Sequence, residues 1–331
     1  MEALNEIYEA IDSLVCLDLG GRGIRALYGP ARARGNAPLC LEAARRLDDV
    51  SRGDHVFIVT GSLSRAQVTP RIAENDGPLG AAAIARALSI GRGAIPVLLT
   101  DEPIRQAVAS VAGIAGCNVL SPEEAAVAAA LPRATTMVTS ASVSDDDATA
   151  RNECAALIER FAPKAVIAIE RAGMTADGTY RNALGQDYSE GRARLDYVFN
   201  HAHDAGIPTI GIGDGGNEIG MGAVQAAVHE HVPHGPVLCA ALATDVLIPA
   251  GVSNWGGYAL AAALAVSQRN EDLAHTSDRE RRLLEAAPTL GLIDGSTGRT
   301  DATADGMPMA VHLAMTELLL QLVRRGCALP S

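Results

Sequence analysis

The segment Pro208-Thr-Ile-Gly-Ile-Gly-Asp-Gly-Gly-Asn-Glu-Ile-Gly-Met-Gly222 sets two carboxylates, Asp214 and Glu218, and the Asn217 amide among six glycines. Thr209 to Ile212 read as a strand and Ile219 to His229 as a helix, so the polar groups are expected on a strand-to-helix loop. In α/β proteins such loops at the strand ends carry ligands. Gly211, Gly213 and Gly216 also fit the dinucleotide-binding spacing G-x-G-x-x-G. The charges oppose that reading, because Asp214 and Glu218 would face an anionic pyrophosphate in a partly dry crevice. A hard divalent cation, Mn²⁺ or Mg²⁺, held by Asp214 and Glu218 with oxygens from Asn217 or water, resolves the conflict. The plainer alternative is that the glycines supply positive φ and close helix packing while the acids are solvated.

Four other loops mix glycine with acid or amide. They are Glu74-Asn-Asp-Gly-Pro78, Glu170-Arg-Ala-Gly173 running on to Asp177-Gly-Thr-Tyr-Arg-Asn182, Thr244-Asp245 running on to Gly251-Val-Ser-Asn-Trp-Gly256, and Asp294-Gly-Ser-Thr-Gly298 running on to Gly306. One such loop is an ordinary turn. Five together predict convergence on one rim of a parallel sheet. Ser253 and Asn254 suit a substrate-facing loop, with Gly256 and Gly257 letting backbone N–H groups approach a carboxylate; alternatively Asn254 caps the helix that follows and Trp255 anchors it. His201 with His203, and His229 with His231 and His234, raise a zinc alternative. Positions i and i+2 point to nearly opposite sides of a helix, which argues against it.

The elements that must position these loops are short apolar strands alternating with Ala-rich helical stretches. Strands are expected at Val56 to Val59, Pro96 to Leu99, Thr136 to Val138, Ala165 to Ile169, Thr209 to Ile212 and Val237 to Ala240. Helices are expected at Leu79 to Leu88, Glu102 to Ala112, Pro122 to Ala130, Ala150 to Phe161, Arg192 to Ala205, Glu218 to Val228, Gly257 to Ser267, Ser277 to Ala287 and Pro308 to Arg325. The pattern predicts an α/β fold, a largely parallel sheet with helices on both faces, with a mostly helical segment of about 50 residues at the start packed onto it. No repeat or linker divides residues 1–331, so one domain is expected. The polar run Ser140 to Asp147 marks either an exposed loop or a boundary between two lobes.

Composition narrows the function classes. A hydrophobic content of 48% in 331 residues supports a large core. A formal charge of −12 and only 3% aromatic residues give neither the basic stripe nor the stacking platform of a nucleic-acid binder. The opening residues are too acidic for a targeting peptide and no apolar run approaches membrane-span length, so a cytoplasmic, membrane-free protein is expected. Six scattered cysteines show no Cys-x-x-Cys pair. Lys164 is the only lysine, and it follows Pro163 at a strand entrance. A P-loop is therefore absent and Schiff-base chemistry disfavoured; no nucleotide, pyridoxal phosphate or haem is expected. Apolar helix faces in so Ala-rich a chain admit a homodimer.

Taken together, these segments resemble the D-glutamate cyclase family over most of the chain. The most specific element is Gly213-Asp-Gly-Gly-Asn-Glu-Ile-Gly-Met-Gly222, supported by Asp245 with Ala250-Gly-Val-Ser-Asn-Trp-Gly256. Weaker support comes from Asp76-Gly-Pro78 with Gly80-Ala-Ala82, from Glu170-Arg171 with Asp177, Gly178 and Tyr180, and from Gly21-Arg-Gly23. The activity the resemblance implies is reversible loss of water from D-glutamate to give 5-oxo-D-proline. Two departures stand beside these matches. Family members read Gly-Glu-Thr-Asp-Gly-Pro where this chain has Ala73-Glu-Asn-Asp-Gly-Pro78, and Asn-Met-Arg-Gly where it has Asn182-Ala-Leu-Gly185. With Leu184 in place of that arginine, either the substrate differs or Arg171 or Arg181 supplies the carboxylate clamp.

An acidic, cation-holding site suits this chemistry, since a poor electrophile must be polarised while an amine loses a proton. Asp214 and Glu218, with Asp245, are the expected cation ligands, and Asp76 or Glu170 the expected base. Arg171, Asp177, Tyr180, Asn182, Gly215, Gly216, Asn217, Ser253 and Asn254 are the expected substrate contacts. Two other functions use the same residues. A metal-dependent phosphoester or pyrophosphate hydrolase would work at the same acid-rich rim, and a non-catalytic module would bind an amino acid or its lactam without converting it.

Overall fold

The computed structural model describes residues 2–329. Strands β1 (His55–Thr60), β2 (Ala73–Glu74), β3 (Ile95–Leu99), β4 (Asn118–Val119), β5 (Met137–Ala141), β6 (Ala165–Ile169), β7 (Thr209–Gly213), β8 (Val246–Pro249), β9 (Leu292–Ile293), β10 (Thr303–Ala304) and β11 (Met307–Pro308) succeed one another along the chain. Seven form one sheet in the order β4-β5-β3-β1-β6-β7-β8, and every pair in it is parallel. β2 pairs with β9 in parallel and β10 with β11 in antiparallel. From β1 the chain adds β3, then β4 at the far edge and β5 between those two, before it returns to β6 on the other side of β1. That reversal makes the β1/β6 boundary a switch point, where a crevice opens beyond the carboxyl ends of the strands.

Thirteen α-helices surround the sheet: α1 (Glu2–Val15), α2 (Arg25–Arg32), α3 (Leu39–Arg45), α4 (Pro78–Arg92), α5 (Arg105–Ile114), α6 (Pro122–Ala130), α7 (Asp147–Phe161), α8 (Asp196–Asp204), α9 (Gln225–His231), α10 (Gly235–Leu238), α11 (Ser253–Gln268), α12 (Ser277–Ala286) and α13 (Met309–Ala328) among the described residues. Period-2 alternation along the strands feeds two cores. Val56 and Ile58 of β1 join the core built with α1, α4, α11 and α13. Phe57 and Val59 join the core built with α7 and α8 on the other face. The expected α/β fold with helices on both faces, and an N-terminal helical segment packed onto it, is what forms. No helix among the described residues is long and apolar enough to cross a membrane.

The first core is organised by α4 and α11, both nearly all buried. They cross at Gly80 and Gly257, where a Cβ on Gly257 would stand 2.8 Å from the Gly80 Cα. Alanine and glycine therefore replace bulk with close approach, and Trp255, Leu260 and Leu264, all fully buried, each contribute about 1.5–3 kcal/mol of burial.

Some sequence expectations need correction. Val237 to Ala240 form no strand, because Pro236 follows Gly235 and starts the one-turn helix α10. The strand is β8, whose closing Pro249 is tolerated because β8 is an edge. Glu218 to Gly220 are not helical; a 3-10 turn at Gly222–Val224 precedes α9. Arg192 to Leu195 likewise precede α8, and Arg192 lines the crevice instead.

Candidate active site

A cavity of about 930 Å³ opens at the carboxyl end of the sheet. Asp76 stands between β2 and α4, Glu170 just after β6 and Asp214 just after β7. One carboxylate oxygen from each of the three lies within 4.8 Å of the others. Glu74, Glu218 and Asp305 also line the cavity. Burial pushes the proton affinities of Asp76 and Glu170 well above the ordinary carboxylate range, and the charge of Asp214 adds to it. Burial raises Glu74 to about 8 and Asp305 to about 7. Asp214 is raised by burial too, against the opposing pull of Arg22. So many carboxyls in one dry space cannot all ionise without a cation.

Each acid is placed by a recognisable local device. Glu170 has φ 47°, a left-handed conformation that a glutamate rarely adopts and that marks a site held by its surroundings. Its carboxylate accepts the Ser253 hydroxyl. Asp305 and Gly306 have φ 52° and 73°, the two positive values of a type I′ turn, here closing the β10–β11 ribbon. The buried Asp294 ties that ribbon down by accepting from the Thr303 hydroxyl at 2.7 Å and from the backbone N–H groups of Ser296 and Thr297, each at 3.0 Å. Glu218 folds back so that its Oε1 accepts from the N–H groups of Asp214 at 2.9 Å and Gly215 at 2.5 Å. Arg22, between Gly21 and Gly23, places Nη1 2.8 Å from Asp214 Oδ2 and pairs through Nη2 with Asp305.

The glycines of the dinucleotide-like motif serve packing. A Cβ on Gly211 would stand 2.7 Å from the Ile219 carbonyl oxygen and 3.0 Å from the Gly220 Cα. One on Gly213 would stand 2.9 Å from the Glu218 side chain. The loop carrying Asp214 and Glu218 thus returns across a bare face of β7, which leaves no room there for a pyrophosphate.

Of the residues expected from sequence, Asp76, Glu170, Asn182, Asp214, Gly215, Asn217 and Glu218 meet at the cavity, and Ser253 adjoins them through Glu170. Others go elsewhere. Asp245, expected as a cation ligand, precedes β8 and accepts from the Thr209 N–H at 2.8 Å. It lies at the amino edge of the sheet, roughly 16 Å along the strands from Asp214. Arg171 is buried and saturated: it pairs with Asp101 at 2.7 and 3.0 Å and donates to the carbonyls of Gly61 and Ala193. Tyr180 donates to Asp196 at 2.6 Å, away from the cavity. Asp177 is exposed, closes its own turn through Thr175 and Thr179, and pairs with Arg181 at 3.1 Å. Gly216 is packed against Val228, Val232 and Leu238. Asn254 caps a helix, but α4 rather than its own: Oδ1 accepts from Gly77 N at 2.9 Å and Gly80 N at 2.7 Å. The histidines do not converge; among the described residues, the Asp76, Glu170 and Asp214 group alone gathers three metal-ligating side chains.

Sequence reasoning passed over Glu74, Asp305, Arg22 and Arg192 as site residues. Asp305-Gly306 carried a legible turn signal, Arg22 sat between two glycines and Glu74 opened one of the acid-and-glycine loops, whereas nothing local marked Arg192.

The donor set fits a hard divalent cation. Asp214 Oδ2, Glu218 Oε2 and Asp305 Oδ2 are buried oxygens with no hydrogen-bond donor, and Arg22 meets Asp214 by distance without aligning an N–H. Buried oxygen atoms left in this state are what Mn²⁺ or Mg²⁺ would satisfy.

A profile of the family described as "D-glutamate cyclase-like, C-terminal" matches residues 11–320. The human protein named D-glutamate cyclase, mitochondrial, is 48% identical over 102 residues, which are 30% of this chain and 17% of that protein. The match thus spans well under a fifth of that relative's length.

Proposed function

This chain belongs to the D-glutamate cyclase-like family, and we propose from that premise that it catalyses the reversible dehydration of D-glutamate, or a close analogue, to 5-oxo-D-proline at the acid-lined cavity. The observation that carries the reading is the convergence of Asp76, Glu170 and Asp214 oxygens within 4.8 Å, from three separate loops of the matched region. In this reaction the amine nitrogen bonds to the γ-carbon, and a carbon–oxygen bond breaks. The two protons the ammonium group gives up depart on that oxygen as water.

Glu170 is the better base of the two expected from sequence. Both Asp76 oxygens accept backbone N–H groups, from Gly77, Ser253 and Asn254, which ties that carboxylate to structure. Glu170 accepts only the Ser253 hydroxyl by hydrogen bond, so that once a cation beside Asp214 holds it ionised it is free to take a proton from the amine, worth about 10²- to 10⁴-fold. Glu74, which burial raises to about 8, passes a proton to the departing oxygen and is reprotonated by what the amine gives up, so that the two ammonium protons are the two that leave as water. Asp76 and Asp214, from the group of three that converges, would hold a divalent cation, which when bound would supply Lewis-acid polarisation of the γ-carboxyl group.

The test is chiral chromatography after incubation with D-glutamate, L-glutamate and both 5-oxoprolines, with Mn²⁺ or Mg²⁺ and after EDTA. Cation-dependent exchange between D-glutamate and 5-oxo-D-proline alone is expected. No interconversion of any pair would sink the proposal and leave the family membership as a statement about fold.

A further inference from the structure

We propose that Arg192 anchors the non-reacting carboxylate of the ligand, so that the cavity selects amino acids, or their lactams, that carry an α-carboxylate. The inference rests on the cyclase reading of the same cavity and names what recognises the substrate there.

The other candidate clamps are excluded by their partners. Arg171 is consumed by Asp101, Arg181 pairs with Asp177, and Arg22 pairs with Asp214 and Asp305. Leu184, which stands where family members have an arginine, is 65% exposed and off the cavity wall. Arg65 lines the cavity but is only partly buried and bonds its own neighbour Ser64.

Arg192 differs from all of these. It lines the cavity and is 3% exposed, yet no carboxylate pairs with it among the described residues. Nη1 donates to the Tyr188 carbonyl and Nη2 to the Leu63 carbonyl. The guanidinium lies 3.6 Å from the centre of the Tyr188 ring. Nε is buried with no partner at all. A guanidinium has five N–H donors, and two are used, so a fixed, stacked and positively charged fork keeps donors for an anion. Burial lowers its proton affinity, the strain of an uncompensated charge that a bound carboxylate would relieve. The cavity is therefore lined both by crowded carboxylates, where an ammonium group and a cation belong, and by a guanidinium that no carboxylate pairs. An amino acid with two carboxylates matches both.

Calorimetric titration of the Mn²⁺-loaded full chain with 5-oxo-D-proline and with 2-pyrrolidinone, the same lactam without its carboxylate, tests this on wild type, Arg192→Gln and Arg192→Lys. Wild type should prefer 5-oxo-D-proline by about 100-fold, and Arg192→Gln should bind the two within about threefold. A preference that survives in Arg192→Gln overturns the inference while leaving the cyclase reading intact. Arg192 also braces two backbone carbonyls; if the glutamine variant fails to fold, Arg192→Lys carries the test. It should lose about tenfold for 5-oxo-D-proline and nothing for 2-pyrrolidinone, because an ammonium keeps the charge without the fork. Equal losses for both ligands overturn the inference. Propionate separates the two ideas. If neither lactam binds wild type, the cyclase reading falls; propionate raising the melting temperature of wild type but not of the variant then still supports the anchor, and no effect on wild type ends it.

Discussion

Asp76 and Asn254 cap each other's helices. The Asp76 carboxylate accepts from Ser253 N at 3.1 Å and Asn254 N at 2.7 Å, at the start of α11. The Asn254 side chain accepts from Gly77 N and Gly80 N at the start of α4 and donates to the Asn75 carbonyl at 3.2 Å. This exchange locks the two most buried helices together beside the Gly80–Gly257 crossing, and sets Ser253 against Glu170. The role of Asn254 is thus structural, in a form the sequence did not suggest, because its partner helix begins far away in the chain.

Replacing Asn254 with Ala should destabilise the protein by about 2 kcal/mol, since the Gly80 N–H loses its acceptor, the Gly77 N–H one of its two and the Asn75 carbonyl its side-chain donor. Urea denaturation checks this. The Michaelis constant of the folded variant should change far less than its stability; a large rise in KM with unchanged stability would return Asn254 to the substrate contacts.

Asp214→Asn should abolish tight cation binding and lower turnover by at least about 100-fold together. Asp214 faces Arg22, Glu218 and the Asp76–Glu170 pair at once, so no neighbour substitutes for it. Cation titration beside steady-state kinetics reads both effects, and wild-type turnover with lost cation binding would separate the acid cluster from catalysis.

The cation-free protein should melt at a higher temperature at pH 6 than at pH 8.5. Glu74 rises from 4.5 to about 8 and Asp305 from 3.8 to about 7 on folding. Groups whose folded-state proton affinity is raised give stability that is present in full below their ordinary values. That stability is lost as pH climbs through about 7 to 8. Calorimetric scans in EDTA test the sign; added Mn²⁺ should flatten the slope, because a bound cation stabilises the ionised forms. A melting temperature that climbs from pH 6 to 8.5 in EDTA would contradict the proposed crowding.

Gly211→Ala should cost about 1–3 kcal/mol, because the added methyl meets backbone that cannot move aside. The protein should show no binding of dinucleotides before or after the change. Saturable NAD binding by the wild type would contradict the packing role of these glycines.

Asp245→Asn should leave cation affinity and turnover within about twofold of wild type, since a surface change remote from the site rarely costs more than about 0.5 kcal/mol. Kinetics on the purified variant decide it; loss of cation binding would place Asp245 back among the ligands.

Much of the fold was legible because strands such as Ala165–Ile169 are short apolar runs between turn residues, and the loop of Asp214 and Glu218 announced itself by glycine spacing. What was not legible depended on partners distant in sequence. Arg171 looked like a clamp because Asp101, 70 residues earlier, was invisible as its partner. Asp245 looked like a ligand because the end of β8 on which it stands was hidden until Val246–Pro249 replaced Val237–Ala240 as the strand. Glu74 opened an acid-and-glycine loop without being singled out in it; its place at the cavity follows from β2 lying beside β9, which brings it to the Asp305 ribbon.

The reciprocal capping has a consequence for how the protein is made. Asp76 and Asn254 are 178 residues apart, so at about 5–20 residues per second a ribosome needs about 9–36 s to emit the second after the first. Throughout that interval the start of α4 lacks Asn254 as the acceptor for Gly77 and Gly80, and Asp76 and Glu170 wait without Ser253. Strands β1 and β3 can pair early, but the acid pocket is sealed only when α11 docks. Until then the chain has a formed sheet edge beside an unfinished acid-lined rim.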